Sequence, residues 1–151
     1  MTVRSSGFLT FRGLRMPRNL QKGLGDKRMN TTATRLYPFV PSGENFDLAI
    51  AFFAEIGFVK QWGDSSLAGL RFGEAYFMLQ NINVPEWQSN QMITFEVEDL
   101  EGYWKEISSK DLPAKYKGSK LREPTDFPWG REIHIIDPGG VCWHVRQSQK
   151  K

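Results

Sequence analysis

The sequence predicts an α+β protein built from two tandem βαβββ modules. Three observations lead to this prediction. The first is a β-hairpin near the C-terminus, in which strands at 131–136 and 141–146 flank an Asp-Pro-Gly-Gly turn. The second is a strand, a helix and three further strands in succession between about 35 and 82. The third is the same order of elements between about 91 and 147, so the repeat is one of pattern rather than of identical residues.

The composition is that of one domain with an aromatic-rich core. The chain has 151 residues, among them 11 Phe, 5 Trp and 4 Tyr, which suits a compact β-rich domain with an aromatic-lined cavity. Cys142 is the single cysteine, so an intrachain disulfide is impossible and a reducing cytoplasm is expected. No apolar run approaches the length of a membrane span, which predicts a soluble protein without a membrane partner.

The basic character of the chain is confined to its N-terminus. Residues 1–28 contain seven Lys or Arg and one Asp, a net charge of +6, whereas the whole chain has a net charge of +3. The remainder is therefore mildly acidic. Residues 1–33 show neither helical nor strand periodicity and are predicted to be a basic, disordered N-terminal extension.

Three interpretations of this extension compete. A nucleic-acid-binding arm would have clustered basic residues interleaved with aromatic ones, and these charges are scattered, so no nucleic-acid partner is expected. An organelle presequence fits the Arg and Ser content but not the poor amphipathic pattern. The favoured interpretation is an extension without function, upstream of a natural start at Met29.

The first module starts with a strand from Leu36 to Val40, which Pro38 restricts to an edge or a hinge because proline cannot donate to a ladder. A helix follows from Glu44 or Asn45 to about Glu55, and Gly57 ends it. The remaining strands of the module are predicted at 58–62, 67–72 and 75–80.

A linker at 81–91 separates the two halves. The second module then has a strand at 92–97, a helix from about Leu100 to Ser109, a poorly defined strand around 114–120, and the closing hairpin.

Alternation assigns the side chains of these strands to faces. The helix-facing set is apolar and comprises Phe77, Leu79, Ile93, Phe95, Val97, Val141, Trp143 and Val145. The opposite face is more polar and comprises Tyr76, Met78, Gln80, Met92, Thr94, Glu96, Cys142, His144 and Arg146. On the first hairpin strand, Glu132, His134 and Ile136 share a face.

The segment Trp129-Gly130-Arg131-Glu132, the alternating strand after it, and Asp137-Pro138-Gly139-Gly140 resemble the closing hairpin of the glyoxalase/bleomycin resistance protein/dioxygenase (vicinal oxygen chelate) superfamily. The likeness is greatest to the drug-binding, bleomycin-resistance branch, and it extends upstream to about Arg35. It implies a vicinal oxygen chelate domain at 34–148 whose eight strands form a cup-shaped mixed sheet. Helices would cover the convex side of the cup.

The same resemblance places four metal-ligand positions, one on the first and one on the last strand of each module. Carried onto this sequence, they fall on Pro38, Met78, Met92 and His144. Only His144 can ligate a hard metal, and a shift of two residues on the fourth strand adds Gln80 at most. No metal, no cofactor and no catalytic residue are therefore predicted.

The sequence does not favour other catalytic arrangements. His134 is interpreted as a surface or hydrogen-bonded histidine. Cys142 and His144 lie two residues apart on one strand face, about 6 to 7 Å, which is too long for a direct hydrogen bond. A buried, inert Cys142 is the better interpretation.

The resemblance to the bleomycin-resistance branch implies a homodimer that binds its ligand in crevices between subunits. We therefore expect a non-catalytic protein that sequesters a bulky, partly cationic aromatic antibiotic or metabolite. The acidic residues Glu96, Asp126 and Glu132 would attract the cation. Pro38 would be the hinge for exchange of the first strand between subunits. The predicted ligand-binding residues are Trp129, Trp62, Met78, Gln80, Met92, Thr94, Glu96 and His144.

Two alternatives stay open at this stage. One is a metal-dependent lyase, isomerase or dioxygenase of the same fold, which would bind a divalent ion through His144. The other is a stress or regulatory protein of the same fold with an unrelated ligand or none. Fold alone does not separate these classes, because one scaffold hosts many functions.

Overall fold

The computed structural model describes residues 30–149, of which residues 36–149 form one compact unit. The prediction of disorder for residues 1–33 falls almost entirely outside the described part. The first module has the predicted order, and its elements are β1 (Phe39–Pro41), α1 (Phe46–Glu55), β2 (Val59–Gly63), β3 (Leu67–Phe72) and β4 (Ala75–Gln80).

The second module repeats this order with two added helical turns. Its elements, with the linker helix first, are α2 (Pro85–Gln88), β5 (Met92–Val97), α3 (Leu100–Ser108), α4 (Leu112–Lys115), β6 (Lys120–Phe127), β7 (Gly130–Ile136) and β8 (Cys142–Gln147). None of the helices within residues 30–149 is both long and apolar enough to cross a membrane.

The eight strands form two four-stranded mixed sheets with equivalent topology. Their orders are β1-β4-β3-β2 and β5-β8-β7-β6. In each sheet the first and last strands of the module are parallel neighbours, and the other pairs are antiparallel. The predicted tandem βαβββ fold is confirmed, with its strands divided equally between two sheets.

The first strand is shorter than predicted and begins after Pro38. Pro38 still contributes to the sheet, because its carbonyl oxygen accepts a hydrogen bond from the Met78 backbone N–H at 2.9 Å. Phe39 pairs with Met78 of the same chain, and exchange of this strand between subunits stays a prediction.

The strand predicted around 114–120 is wrong in position. Leu112–Lys115 forms a helical turn instead. Pro113 lies at the start of this turn, where the N–H that proline lacks would have no partner within the helix. The strand itself is Lys120–Phe127 and contains an irregularity between Arg122 and Thr125. The alternation of buried and exposed side chains is broken there, so the sequence pattern did not indicate this strand.

Helix α1 joins the cores of the two modules. Asn45 begins it as predicted, because its Oδ1 accepts a hydrogen bond from the Leu48 N–H at 2.9 Å. Phe53 is 1% exposed and contacts Phe77 of the first sheet and Trp143 of the second, with ring centroids 4.9 and 5.2 Å away. The aromatic core therefore lies between the helices and both sheets, and the opposite sheet faces stay open.

The closing hairpin is held by a buried carboxylate. Asp137 is 2% exposed, and its two oxygens accept hydrogen bonds from the Trp143 indole N–H at 2.9 Å and the Val141 backbone N–H at 3.1 Å. The turn closes through a bond from the Gly140 N–H to the Asp137 carbonyl oxygen, and Gly140 has φ +98°. This fixes the pairing of β7 with β8.

Candidate functional site

The hairpin register brings together side chains that are far apart in sequence. His134 on β7 pairs directly with His144 on β8, and Glu132 pairs with Arg146. All four side chains point to the open face, since their neighbours Ile133, Ile135, Trp143 and Val145 are buried on the helix side. These four residues, Glu132, His134, His144 and Arg146, are termed the carboxylate–imidazole cluster below.

Glu132 is the centre of this cluster. It is 1% exposed, and its Oε2 lies 2.8 Å from His144 Nδ1 and 3.1 Å from His134 Nε2. Its Oε1 lies 3.0 Å from Arg146 Nη2 as an ion pair without hydrogen-bond geometry. Burial alone would raise the pKa of Glu132, but hydrogen bonds from His144, His134 and Trp129 outweigh it and lower this pKa to about 2. The carboxylate is therefore ionised at neutral pH.

A stack of rings borders the cluster. Phe127 stacks on His134 with centroids 4.9 Å apart, and Trp129 stacks on Phe127 at 5.1 Å with an interplanar angle of 9°. The guanidinium of Arg122 lies 5.2 Å from the centre of the Phe127 ring. Trp129 itself is 62% exposed, so the outer face of this stack is open to a flat ligand.

A pocket of about 530 Å³ opens beside Trp129. Its lining includes Glu96, Trp129, Arg131, Glu132 and Arg146. Two acidic residues and two arginines line the pocket, so the formal charges of its lining balance. The predicted negative patch is largely neutralised by partners. Glu132 pairs with Arg146, and Asp126 pairs with Arg131 at 3.2 Å.

The predicted ligand-binding residues lie in three places. Trp129, Glu96 and His144 lie at the pocket or the cluster, and the open-face residues Thr94 and Met92 pair with His144 and Cys142 on the neighbouring strand. Met92 is 71% exposed.

The other three predicted residues, Trp62, Met78 and Gln80, belong to the first sheet. The Trp62 indole N–H donates to the Tyr76 hydroxyl at 2.8 Å, and Met78 Sδ lies 3.9 Å from the same hydroxyl. Gly69 lies directly beneath this pair. A Cβ there would come within 2.5 Å of the indole nitrogen, so glycine is required for the close approach. Trp62 was predicted near the same rim as Trp129; it lies on the first sheet, Trp129 lies between β6 and β7 of the second, and the shared rim stays a prediction.

Gln80 lies at a second pocket, of about 540 Å³, on the edge of the first sheet. Phe39, Trp87 and Gln91 are among its other lining residues. Trp87 is 64% exposed and Phe39 is 51% exposed, which makes this the more apolar of the two rims.

Sequence reasoning missed the convergence of Glu132, His134 and His144. Their ligand atoms lie within 4.8 Å of one another. The sequence analysis did not work out the pairing register of β7 with β8. The turn at 137–140 closes with Asp137 opposite Val141, and counting outwards from that pair places 134 opposite 144 and 132 opposite 146.

Comparison with known proteins supports the fold and gives no closer assignment. No family model matches the sequence, and no curated protein matches it either. A bleomycin-binding protein complexed with bleomycin is 21% identical, with a TM-score of 0.67, over 78% of this chain and 100% of that one. The bleomycin-binding protein of Streptomyces verticillus, complexed with copper(II)-bleomycin, is 24% identical, with a TM-score of 0.62 over the same shares.

A third solved structure is the fosfomycin resistance protein FosX of Listeria monocytogenes, complexed with Mn(II) and sulfate. It is 11% identical, with a TM-score of 0.60, over 79% of this chain and 93% of that one. The chain therefore has the glyoxalase/bleomycin-resistance fold, and the predicted resemblance is confirmed at the level of fold. Proteins with this fold hold different ligands, so the ligand of this chain must be argued from its own residues.

Proposed function

We propose that the protein is a bleomycin-resistance-like binding protein, a cytoplasmic homodimer that sequesters a bulky aromatic, partly cationic antibiotic or metabolite without chemical turnover. The observation that carries this proposal is the exposed Trp129 ring, stacked on Phe127 at a pocket of about 530 Å³. A preformed aromatic face beside a pocket of this size suits a flat heteroaromatic group.

The environment of Trp129 supports a binding role. Phe127 contacts both Trp129 and His134, so the indole is the outermost ring of a stack that continues into the sheet. A ring held in this way loses little conformational freedom when a ligand stacks on it. Glu96 supplies a carboxylate at the same pocket for a cationic group.

The homodimer is part of the proposal. In the homodimer, the open face of the first sheet, with Trp62 and Met78, would complete the binding crevice opposite Trp129 of the other subunit. Sedimentation analysis of the full chain should give the mass of a dimer, and a concentration-independent monomer would contradict this part.

The test is a fluorescence and calorimetric titration of the full-length protein with metal-free and with copper(II)-loaded bleomycin. We expect saturable binding that weakens by at least about tenfold in Trp129→Ala, because stacking on an aromatic side chain contributes about 1–3 kcal/mol. Trp87→Ala is the matched control, since Trp87 is as exposed as Trp129 and lies at the other pocket. Equal weakening in both variants, or none in Trp129→Ala, would contradict the assignment of the site.

The same samples test the absence of turnover. Bleomycin recovered after incubation should be unchanged in mass. A metal-dependent enzyme of the same fold is the second candidate, and the convergence of Glu132, His134 and His144 favours it. Conversion of an added substrate that requires a divalent ion and both histidines would support that candidate over sequestration.

A further inference from the structure

Three side chains that can serve as metal ligands, from two neighbouring strands, converge on the open face of the second sheet. Glu132 Oε2 lies 2.8 Å from His144 Nδ1 and 3.1 Å from His134 Nε2, and the three side chains offer ligand atoms that all lie within 4.8 Å of one another. Ligands at about 2.1 Å from a metal ion lie about 3.0 Å apart at right angles and about 3.4 Å apart at the tetrahedral angle. The two distances from Glu132 Oε2 are within a few tenths of an ångström of these values, and the ligand nitrogens of the two histidines lie within 4.8 Å of each other.

We infer that Glu132, His134 and His144 form a binding site for one divalent first-row transition-metal ion of the Zn(II), Ni(II), Co(II) or Cu(II) type. Two imidazoles and one carboxylate suit these borderline ions, whereas Mg(II) and Ca(II) prefer oxygen ligands. Three protein ligands leave at least one coordination position open to water or to a ligand.

The surroundings of the cluster hold its ligands in place. Arg146 forms an ion pair with Glu132 Oε1, which leaves Oε2 directed at the two imidazoles. Phe127 stacks on His134 and fixes the plane of that ring. The second nitrogen of His144, Nε2, lies 3.6 Å from Cys142 Sγ. Metal-binding side chains are commonly oriented by contacts of this kind.

This ligand set differs from the one that the superfamily resemblance implies. The implied positions fall on the first and last strands of the modules, at Pro38, Met78, Met92 and His144, and only His144 belongs to both sets. In the set inferred here, Glu132 and His134 come from β7. The proposal therefore does not depend on the sequestration function and stands if that function fails.

An alternative account of the same geometry is a network of hydrogen bonds without a metal. Each imidazole can donate to Glu132, and Arg146 balances the carboxylate charge. The two accounts differ in one measurable respect. A metal site binds one ion stoichiometrically through two imidazole nitrogens, whereas a closed hydrogen-bond network does not.

The experiment uses the untagged full-length protein, cleared of metal with a chelator, in equilibrium dialysis and calorimetry against ZnCl2, NiCl2 and MgCl2. We expect one Zn(II) or Ni(II) per chain at micromolar concentrations and no comparable binding of Mg(II). The chain has only two histidines, so His134→Gln and His144→Gln remove them one at a time, and each should weaken binding by at least about tenfold. Glu132→Gln tests the carboxylate.

Two control variants should bind the ion as the parent protein does. Glu74→Gln, in the β3–β4 turn, and Glu86→Gln, in α2, each remove an exposed carboxylate that lies outside the second sheet. Cu(II) electron paramagnetic resonance of the parent protein, which needs no variant, should show coupling to two nitrogens. The inference is overturned by failure to bind Zn(II) and Ni(II) below millimolar concentrations, by binding that survives loss of either histidine, or by a Cu(II) spectrum with fewer than two coupled nitrogens.

Discussion

Asp137 offers a direct test of how the closing hairpin is stabilised. Burial raises the pKa of its carboxyl from 3.8 to about 6, against the opposing effect of hydrogen bonds from Trp143, Val141, Gly139 and Gly140. The folded protein therefore binds this proton more tightly than the unfolded chain does. The stabilising contribution is fully present below pH 3.8 and is lost as the pH rises through about 6.

The variant Asp137→Asn removes this titration. A difference of about two pKa units corresponds to about 3 kcal/mol in the low-pH limit, and to about 2 kcal/mol between pH 8 and pH 4.5. The substitution also turns one accepting oxygen into a donating amide, which weakens the bond from Trp143 or Val141 at every pH. The quantity to follow is therefore the difference in unfolding free energy between parent and variant as a function of pH, because other titrating groups cancel in it.

Urea unfolding at several pH values between 4.5 and 8 measures that difference. The stability of the parent relative to Asp137→Asn should increase as the pH falls, by about 2 kcal/mol over this range. A constant difference would show that the pKa is not raised. A relative stability that decreases as the pH falls would show that the hydrogen bonds outweigh burial, which would refute the reasoning.

Three further substitutions test the fold. Asn45→Ala should cost about 1 kcal/mol of unfolding free energy through loss of the helix cap, and Asn45→Ser should restore most of it; equal losses in both would contradict capping. Phe53→Ala should cost about 3–5 kcal/mol, whereas Val59→Ala, at a 61% exposed strand position, should change stability by less than about 1 kcal/mol in thermal or urea unfolding. Gly43→Ala should lower the free energy of unfolding more than Gly73→Ala does. Both glycines have positive φ, but only at Gly43 would the new Cβ come within 2.8 Å of the β7–β8 turn. Equal losses of stability would leave backbone strain alone as the explanation.

Most of the fold followed from local patterns that survive in the structure. The strands at 67–72, 75–80 and 92–97 have the predicted bounds because alternation and glycine-containing turns define them locally. The sixth strand did not follow, since Pro124 and the irregular pairing between Arg122 and Thr125 interrupt its alternation. Its position is set by pairing with β7, which no local window contains.

The strand faces of the cluster residues were predictable from the sequence, but their meeting in one cluster was not. Alternation placed Glu132 with His134 on one strand face and His144 with Arg146 on another, and both assignments agree with the structure. Their meeting depends on the pairing of two strands, so neither strand alone indicates it. The position of Trp62 relative to Trp129 likewise depends on how the two sheets are arranged, because the two residues belong to different sheets.

The buried Asp137 links the stability of the hairpin to the geometry of the site. Its hydrogen bond to the Trp143 indole holds that ring in the core, and alternation then directs His144 to the open face. A slip of one residue in β8 would bring Trp143 to the open face and His144 into the aromatic core, so the apolar core strongly disfavours it. The residues that fix this register, rather than those that touch a ligand, thus decide whether Glu132 faces two imidazoles. For this reason Asp137→Asn should loosen the site as well as the hairpin, even though Asp137 does not line the pocket beside Trp129.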